Sequence, residues 1–236
     1  MNRGILVDKL ILQAQDLFKG CSFTYYICGG FALELFVGKK LRPHSDLDAS
    51  VFMENKKDVA AFLHEKGWDI YKRIFEPQGL GGVSPIADTN DPRLNDARIL
   101  WAMKEGSQFS IKPREHDEKV FDFEILSHAQ VDFNFIEIVL DNKAGDDFVL
   151  NKNTDVTRKL NKAILYNDCG IPYMSPELVM FLKSPQIYTT HQIHAAKTPT
   201  DFKAIMPLLP DESKKWLMDA LNTTYPDGYD WLNGLI

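Results

Sequence analysis

Apolar residues recur near the start of the chain as Leu6, Leu10, Ile11, Ala14 and Leu17, the spacing that lines one side of an α-helix, and the run ends near Gly20. The period then shortens. Residues 23–28 form a brief apolar and aromatic run closed by Gly29 and Gly30, which predicts a buried strand. Phe31, Leu35 and Phe36 return to helical spacing until Gly38 stops them. Residues 47–52 predict a second strand directly after the turn Pro43-His44-Ser45-Asp46. Residues 56–66 predict a helix with Val59, Phe62 and Leu63 inward, and 68–74 a further strand. Residues 76–96, rich in Gly, Pro, Asn and Asp, are expected to form a long loop. Residues 97–103, 109–112 and 120–125 carry short strand patterns, and 133–140 a denser one with many β-branched and aromatic residues.

Beyond about Asn151 the pattern becomes one of helices and turns. Ser175-Pro176-Glu177 and Thr198-Pro199-Thr200-Asp201 each set a hydroxyl ahead of a proline, the order expected at a helix start. Apolar stripes follow at Leu178, Val179, Phe181 and Leu182, at Phe202, Ile205, Met206 and Leu209, and at Trp216, Leu217, Ala220 and Leu221. The expected fold class is α+β. A domain over residues 1–145, a mixed sheet flanked by helices, precedes a helical domain over 146–236.

Composition changes this picture only by exclusion. With 236 residues, 44% of them apolar and 25% charged, the chain can bury a sizeable core and reads as an ordinary globular protein. Its three cysteines include no CxxC pair, so neither a disulfide framework nor a thiolate zinc site is expected, and a reducing compartment fits. Asp8 and Lys9 interrupt the first apolar stretch too early for a signal-peptide core or a membrane span, so the expected location is the cytoplasm with no membrane partner. A formal net charge of -6 argues against a broad surface for nucleic acid, which needs clustered Lys and Arg.

The chemistry concentrates in two short segments, Cys28-Gly29-Gly30-Phe31 and Arg42-Pro43-His44-Ser45-Asp46-Leu47-Asp48. In extended chain, residues two apart face the same way, so Asp46 and Asp48 aim together while Leu47 packs behind them. Two carboxylates in register make a hard-oxygen site of the kind magnesium accepts, its other positions being filled by water and phosphate. Gly29 and Gly30 lie at a strand-to-helix turn, where bare backbone N–H groups can approach a phosphate at the positive end of the helix.

A strand, Gly-Gly, a short helix, a basic turn and a second strand opening with DxD form one unit, and this unit resembles the nucleotidyltransferase superfamily that includes DNA polymerase beta. The pattern GG followed by R-x-H-x-D-[IL]-D is most similar to bacterial antibiotic adenylyltransferases of the aminoglycoside 2″-O and lincosamide types. Gly170-Ile171-Pro172-Tyr173, Ser175-Pro176-Glu177 with the helix to Lys183, Asp201-Phe202 and Leu208-Leu209-Pro210 extend the resemblance, while residues 68–130 depart from it. It implies an enzyme in which Asp46 and Asp48 hold magnesium. A nucleoside triphosphate, with ATP the expected one, then passes its nucleotidyl group to a hydroxyl of a small molecule such as an aminoglycoside or lincosamide. Gly29, Gly30, Arg42, His44, Ser45 and Lys183 fall on the nucleotide side, with Lys197 a second basic candidate. Arg42 has two readings, a phosphate clamp or a salt bridge.

The resemblance also implies a third carboxylate on a later strand, for which Asp132 and Glu137 are the candidates. Glu137 sits inside the apolar run Phe135-Ile136-Glu137-Ile138-Val139, a costly place for a charge unless a metal or cation pairs with it. It is therefore preferred, as a metal ligand or as the base for the acceptor. Two rival readings share the motif: a nucleotide-binding regulatory domain without catalysis, and a toxin-like transferase acting on RNA or protein. Glu34 is expected on the surface. His191 and His194 lack a further ligand and are expected to be solvated.

Overall fold

The computed structural model describes residues 7–76, 79–128, 130, 132–184 and 197–228. In chain order its first elements are α1 (Lys9–Leu17), β1 (Tyr25–Ile27), α2 (Gly29–Val37), β2 (Asp48–Phe52), α3 (Lys56–Glu65), β3 (Asp69–Glu76), β4 (Gly79–Ile86), β5 (Ile99–Met103), β6 (Phe109–Arg114) and β7 (Asp117–Ile125). There follow β8 (Phe135–Ala144), β9 (Asp147–Val149), β10 (Thr157–Lys159), α4 (Leu160–Ala163), β11 (Ile164–Tyr166), β12 (Pro172–Met174), α5 (Pro176–Leu182), α6 (Lys197–Ile205) and α7 (Asp211–Thr224).

The chain divides into two compact units. One, the sheet unit, comprises Asp8–Ile27 and His44–Asn142; the other, the helical unit, joins Cys28–Pro43 to the described residues from Lys143 onward. Contacts thus group α2 with the C-terminal helices, a partnership that sequence order alone does not suggest.

In the sheet unit the strands run in the order β1-β2-β8-β5-β3-β4-β7-β6. Only β2 and β8 are parallel; the other neighbours are antiparallel, so the sheet is mixed, as expected. The α1 helix starts where Asp8 accepts a hydrogen bond from the Leu10 N–H, and it buries Leu10, Ile11 and Ala14. Phe18, Phe23, Tyr25 and Phe62 stack beyond its end and clamp α1 to α3. A second core of Val83, Trp101, Met103 and Phe135 lies among β3 to β8, with Phe109 and Phe123 packed against Trp101.

The expected loop over 76–96 is overturned in part, because Gly79–Ile86 forms β4, paired antiparallel with β3. Its glycines serve close approach. Gly82 has φ +140, and a Cβ there would stand 2.7 Å from the Phe121 carbonyl oxygen on β7, so a side chain would force the strands apart. Residues that spell a loop in isolation are here tolerated by neighbours on both sides.

The helical unit also departs from the all-helical expectation. Its short strands pair as β9 with β10 and as β11 with β12, both antiparallel. The α5 helix begins with Pro176 in the first turn after Ser175, as read from sequence, but Ser175 makes no side-chain cap bond. The α6 helix is described from Lys197, so Thr198 lies within it and not ahead of it. Phe202 and Ile205 of α6 and Leu217, Ala220 and Leu221 of α7 are buried, as their spacing predicts. Among the described residues, no helix is long and apolar enough to cross a membrane.

Candidate active site

The carboxylates gather at the parallel pair in the sheet unit. Asp48 stands opposite Glu137 in the register of β2 and β8, and the backbone N–H of Glu137 donates to the Leu47 carbonyl at 3.3 Å. Because register partners on adjacent strands point to one face, Asp48 and Glu137 present their side chains together. Asp46 precedes β2, where the Ser45 hydroxyl donates to its Oδ1 at 2.7 Å, and its charge acts on Glu137. His44 is half-buried in the turn just before. Asp132, the other candidate for the third carboxylate, is exposed and lines a separate open cleft with Trp68 and Lys104.

Glu137 is held firmly. Its Oε2 accepts from Arg73 Nη1 at 2.7 Å and from Trp101 Nε1 at 2.7 Å. The three residues come from neighbouring strands, with Trp101 opposite Glu137 across β5 and β8. Burial pushes the Glu137 carboxyl above the usual glutamate range and the Asp46 charge pushes the same way, against the pull of Arg73 and the Trp101 hydrogen bond. The Arg73 guanidinium lies 5.3 Å from the Trp101 ring and 5.2 Å from the Phe75 ring. Neither Arg73 nor Trp101 stands out in the sequence. Arg73 is a cation in a strand that alternates between faces, and Trp101 reads as core.

The fit to a metal can be judged from these donors. Among the described residues, no three His, Cys, Asp or Glu side chains gather closely enough to hold an ion, and Glu137 is turned to Arg73 and Trp101. Asp46 and Asp48 remain as a pair of hard oxygen donors, and magnesium ordinarily takes only one or two protein carboxylates. By donor chemistry two carboxylates suit such an ion, and among the described residues no three-carboxylate cage forms.

The other candidates lie in the helical unit. Gly29 opens α2 with φ +63, a left-handed value that favours glycine, and Gly30 follows it. Glu34 is buried, contrary to the surface expectation: its Oε1 accepts from the backbone N–H of Leu41 at 2.7 Å and of Arg42 at 3.3 Å. A carboxylate inside the helix thereby shapes the turn that carries Arg42. Arg42 makes a bidentate pair with Asp201, 3.0 Å from Nε to Oδ1 and 3.2 Å from Nη2 to Oδ2. Lys183 reaches Asp201 Oδ2 at 3.1 Å. Burial alone would raise the Asp201 carboxyl, but hydrogen bonding to Arg42 and the charge of Lys183 hold it below the usual range. Of the two readings of Arg42, the salt bridge is the one seen. The Lys197 side chain, His191 and His194 lie outside the described residues.

Residues 10–78 match the family model described as aminoglycoside-2''-adenylyltransferase. The chain resembles nucleotidyltransferase enzymes. It is 26% identical over 117 residues to a lincosamide resistance protein of Staphylococcus haemolyticus, a match covering 46% of this chain and 70% of that protein. Among solved structures, the antibiotic-resistance factor ANT(2'')-Ia in solution is 11% identical with a TM-score of 0.49, covering 92% of each chain. The lincosamide antibiotic adenylyltransferase LnuA with lincomycin bound is 14% identical with a TM-score of 0.45, covering 82% of this chain and 95% of that one. The matched segment 10–78 contains the Gly-Gly turn, Asp46, Asp48 and Arg73, and ends before Trp101 and Glu137.

Proposed function

We propose that the protein transfers a nucleotidyl group, with ATP as donor, to a hydroxyl of a small molecule of the aminoglycoside or lincosamide kind. The observation that carries this reading is the parallel register placing Asp48 beside Glu137, with Asp46 two residues ahead, inside a chain whose matched segment contains the DxD. Asp46 and Asp48 would hold magnesium, and Ser45 keeps Asp46 in place through its hydroxyl. A magnesium ion held there would supply positive charge to offset that on the α-phosphate and the leaving pyrophosphate.

Glu137 is the base in this reading. Its carboxyl, lifted by burial, is better matched to taking a proton near neutral pH than an ordinary glutamate. It removes the proton from the acceptor hydroxyl as that oxygen bonds to the α-phosphorus, and the bond from phosphorus to the pyrophosphate oxygen breaks. Gly29, Gly30, Arg42, His44 and Lys183 are proposed for the nucleotide. For Arg42 and Lys183 this means a role shared with Asp201, which both already contact.

The test is pyrophosphate release from ATP and magnesium across a panel of aminoglycosides, lincosamides and other small alcohols. The wild-type chain is expected to turn over at least one acceptor, and Asp46→Asn with Asp48→Asn to abolish it. Equal turnover by the double variant would overturn the assignment. Transfer to RNA or protein in place of every small acceptor would favour the toxin-like reading.

A further inference from the structure

We infer that Trp101 and Arg73 are positioning residues: they hold Glu137 by one oxygen, Oε2, and present its other oxygen to the acceptor hydroxyl. The inference deepens the proposed transfer reaction and rests on Glu137 being its base.

Three observations carry it. Both hydrogen bonds go to the same oxygen, and among the described residues none is made to Oε1. A glutamate side chain has three rotatable bonds, so two donors from different strands, converging on one atom, restrict the carboxylate more than a single partner would. The donors are themselves fixed. Trp101 is 3% exposed, with Phe109, Phe123 and Phe135 against its ring at 4.7, 4.8 and 5.3 Å between centroids. Arg73 lies against the same indole. The aromatic core of β3 to β8 thus ends in two N–H groups that hold one carboxylate, and the rigidity of the core passes to the base.

The arrangement also separates two roles in space. Of the three site carboxylates, Arg73 and Trp101 hydrogen-bond to Glu137, while Ser45 holds Asp46. Loosening the anchor should therefore weaken the chemical step and leave the binding of metal and nucleotide intact. A tryptophan that served only packing would not behave so, since its loss would disturb the fold or all binding steps alike.

Trp101→Phe keeps an aromatic ring and removes the indole donor. Expected is a loss in kcat of about tenfold, the lower end for removing a partner that orients a functional group. The KM for ATP and the Kd for Mn2+, read by electron paramagnetic resonance without nucleotide, should stay unchanged. Arg73→Lys, which keeps the charge and loses the planar fork, should act in the same direction. A second readout needs no turnover. The Trp101 indole N–H resonance, identified by its absence in Trp101→Phe, should shift in Glu137→Gln.

Wild-type kcat in Trp101→Phe, or a loss shared equally by KM and the Mn2+ Kd, would overturn the inference. So would an indole resonance indifferent to Glu137→Gln. A wild-type chain that transfers to no acceptor, yet shows the Glu137-dependent indole shift, would refute the proposed reaction and the presenting role together while leaving the anchor in place.

Discussion

Asp141, near the end of β8, is a carboxylate with almost no water around it. It is 4% exposed and accepts a hydrogen bond from the Tyr26 hydroxyl at 2.8 Å. Burial pushes its carboxyl up to about 6, against the pull of Tyr26 and Ser50. A folded value above the unfolded one means that the native state binds the proton more tightly. The stabilising contribution of the protonated form is full below about pH 4 and is lost as pH rises through about 6. Taking 3.8 for the unfolded chain, the raised pKa of Asp141 costs roughly 3 kcal/mol at pH 7.5 and roughly 1 kcal/mol at pH 4.5.

Asp141→Asn removes the charge and keeps an oxygen for Tyr26. The buried Ser50 hydroxyl that faces it can accept from the new amide. The variant should therefore be stabilised more at pH 7.5 than at pH 4.5, by about 2 kcal/mol. At roughly 2–4 °C per kcal/mol, its gain in Tm should be about 4–8 °C larger at the higher pH. Thermal melts of both proteins in matched buffers at the two pH values read this directly. A Tm difference that is the same at both values would refute the reasoning.

For Glu137→Gln, kcat should fall by about two to four powers of ten, and wild-type kcat/KM should rise with pH along a limb displaced above the ordinary glutamate range. Steady-state rates across pH check both, and a limb in the ordinary glutamate range would contradict the direction argued from burial. Asp201→Asn leaves Arg42 and Lys183 without their shared partner, and should cost about 3–5 kcal/mol in a urea melt, the scale for breaking a buried ion pair. Arg42→Lys should cost less, because one charge contact survives. Gly82→Ala should lower Tm through the clash with the Phe121 carbonyl, whereas Gly20→Ala, with nothing within 4 Å of its added Cβ, carries only the strain of its φ of +80.

What the sequence disclosed follows the range of the interactions involved. The helices α1, α2 and α3 and the strands flanking Asp46 and Asp48 were legible, since each is written in a local period. The preference for Glu137 over Asp132 came from a charge inside an apolar run, and the structure adds the neighbours that make such a charge tolerable. Arg73 and Trp101 were not legible, because what marks them is register across β3, β5 and β8. The β4 strand was missed for a related reason: its glycines and Pro85 are poor strand formers, kept extended by their pairing with β3. Glu34 and Asp201 escaped because a buried carboxylate looks like any surface acid until the groups it binds are known.

The parallel seam between β2 and β8 makes the far strands unequal in what they can tolerate. Glu137 relies on β3 and β5 through Arg73 and Trp101, and among the described residues nothing in β6 or β7 hydrogen-bonds to it. The hairpin of β6 and β7 is therefore the piece that could be traded between relatives like a cassette, provided that its aromatic residues still seat Trp101. Grafting at β3 or β5 would instead unmoor the base. Diversity in this protein's lineage, and the design of variants with altered acceptors, should accordingly collect in that outer hairpin and thin out before β3, where the anchors of Glu137 begin.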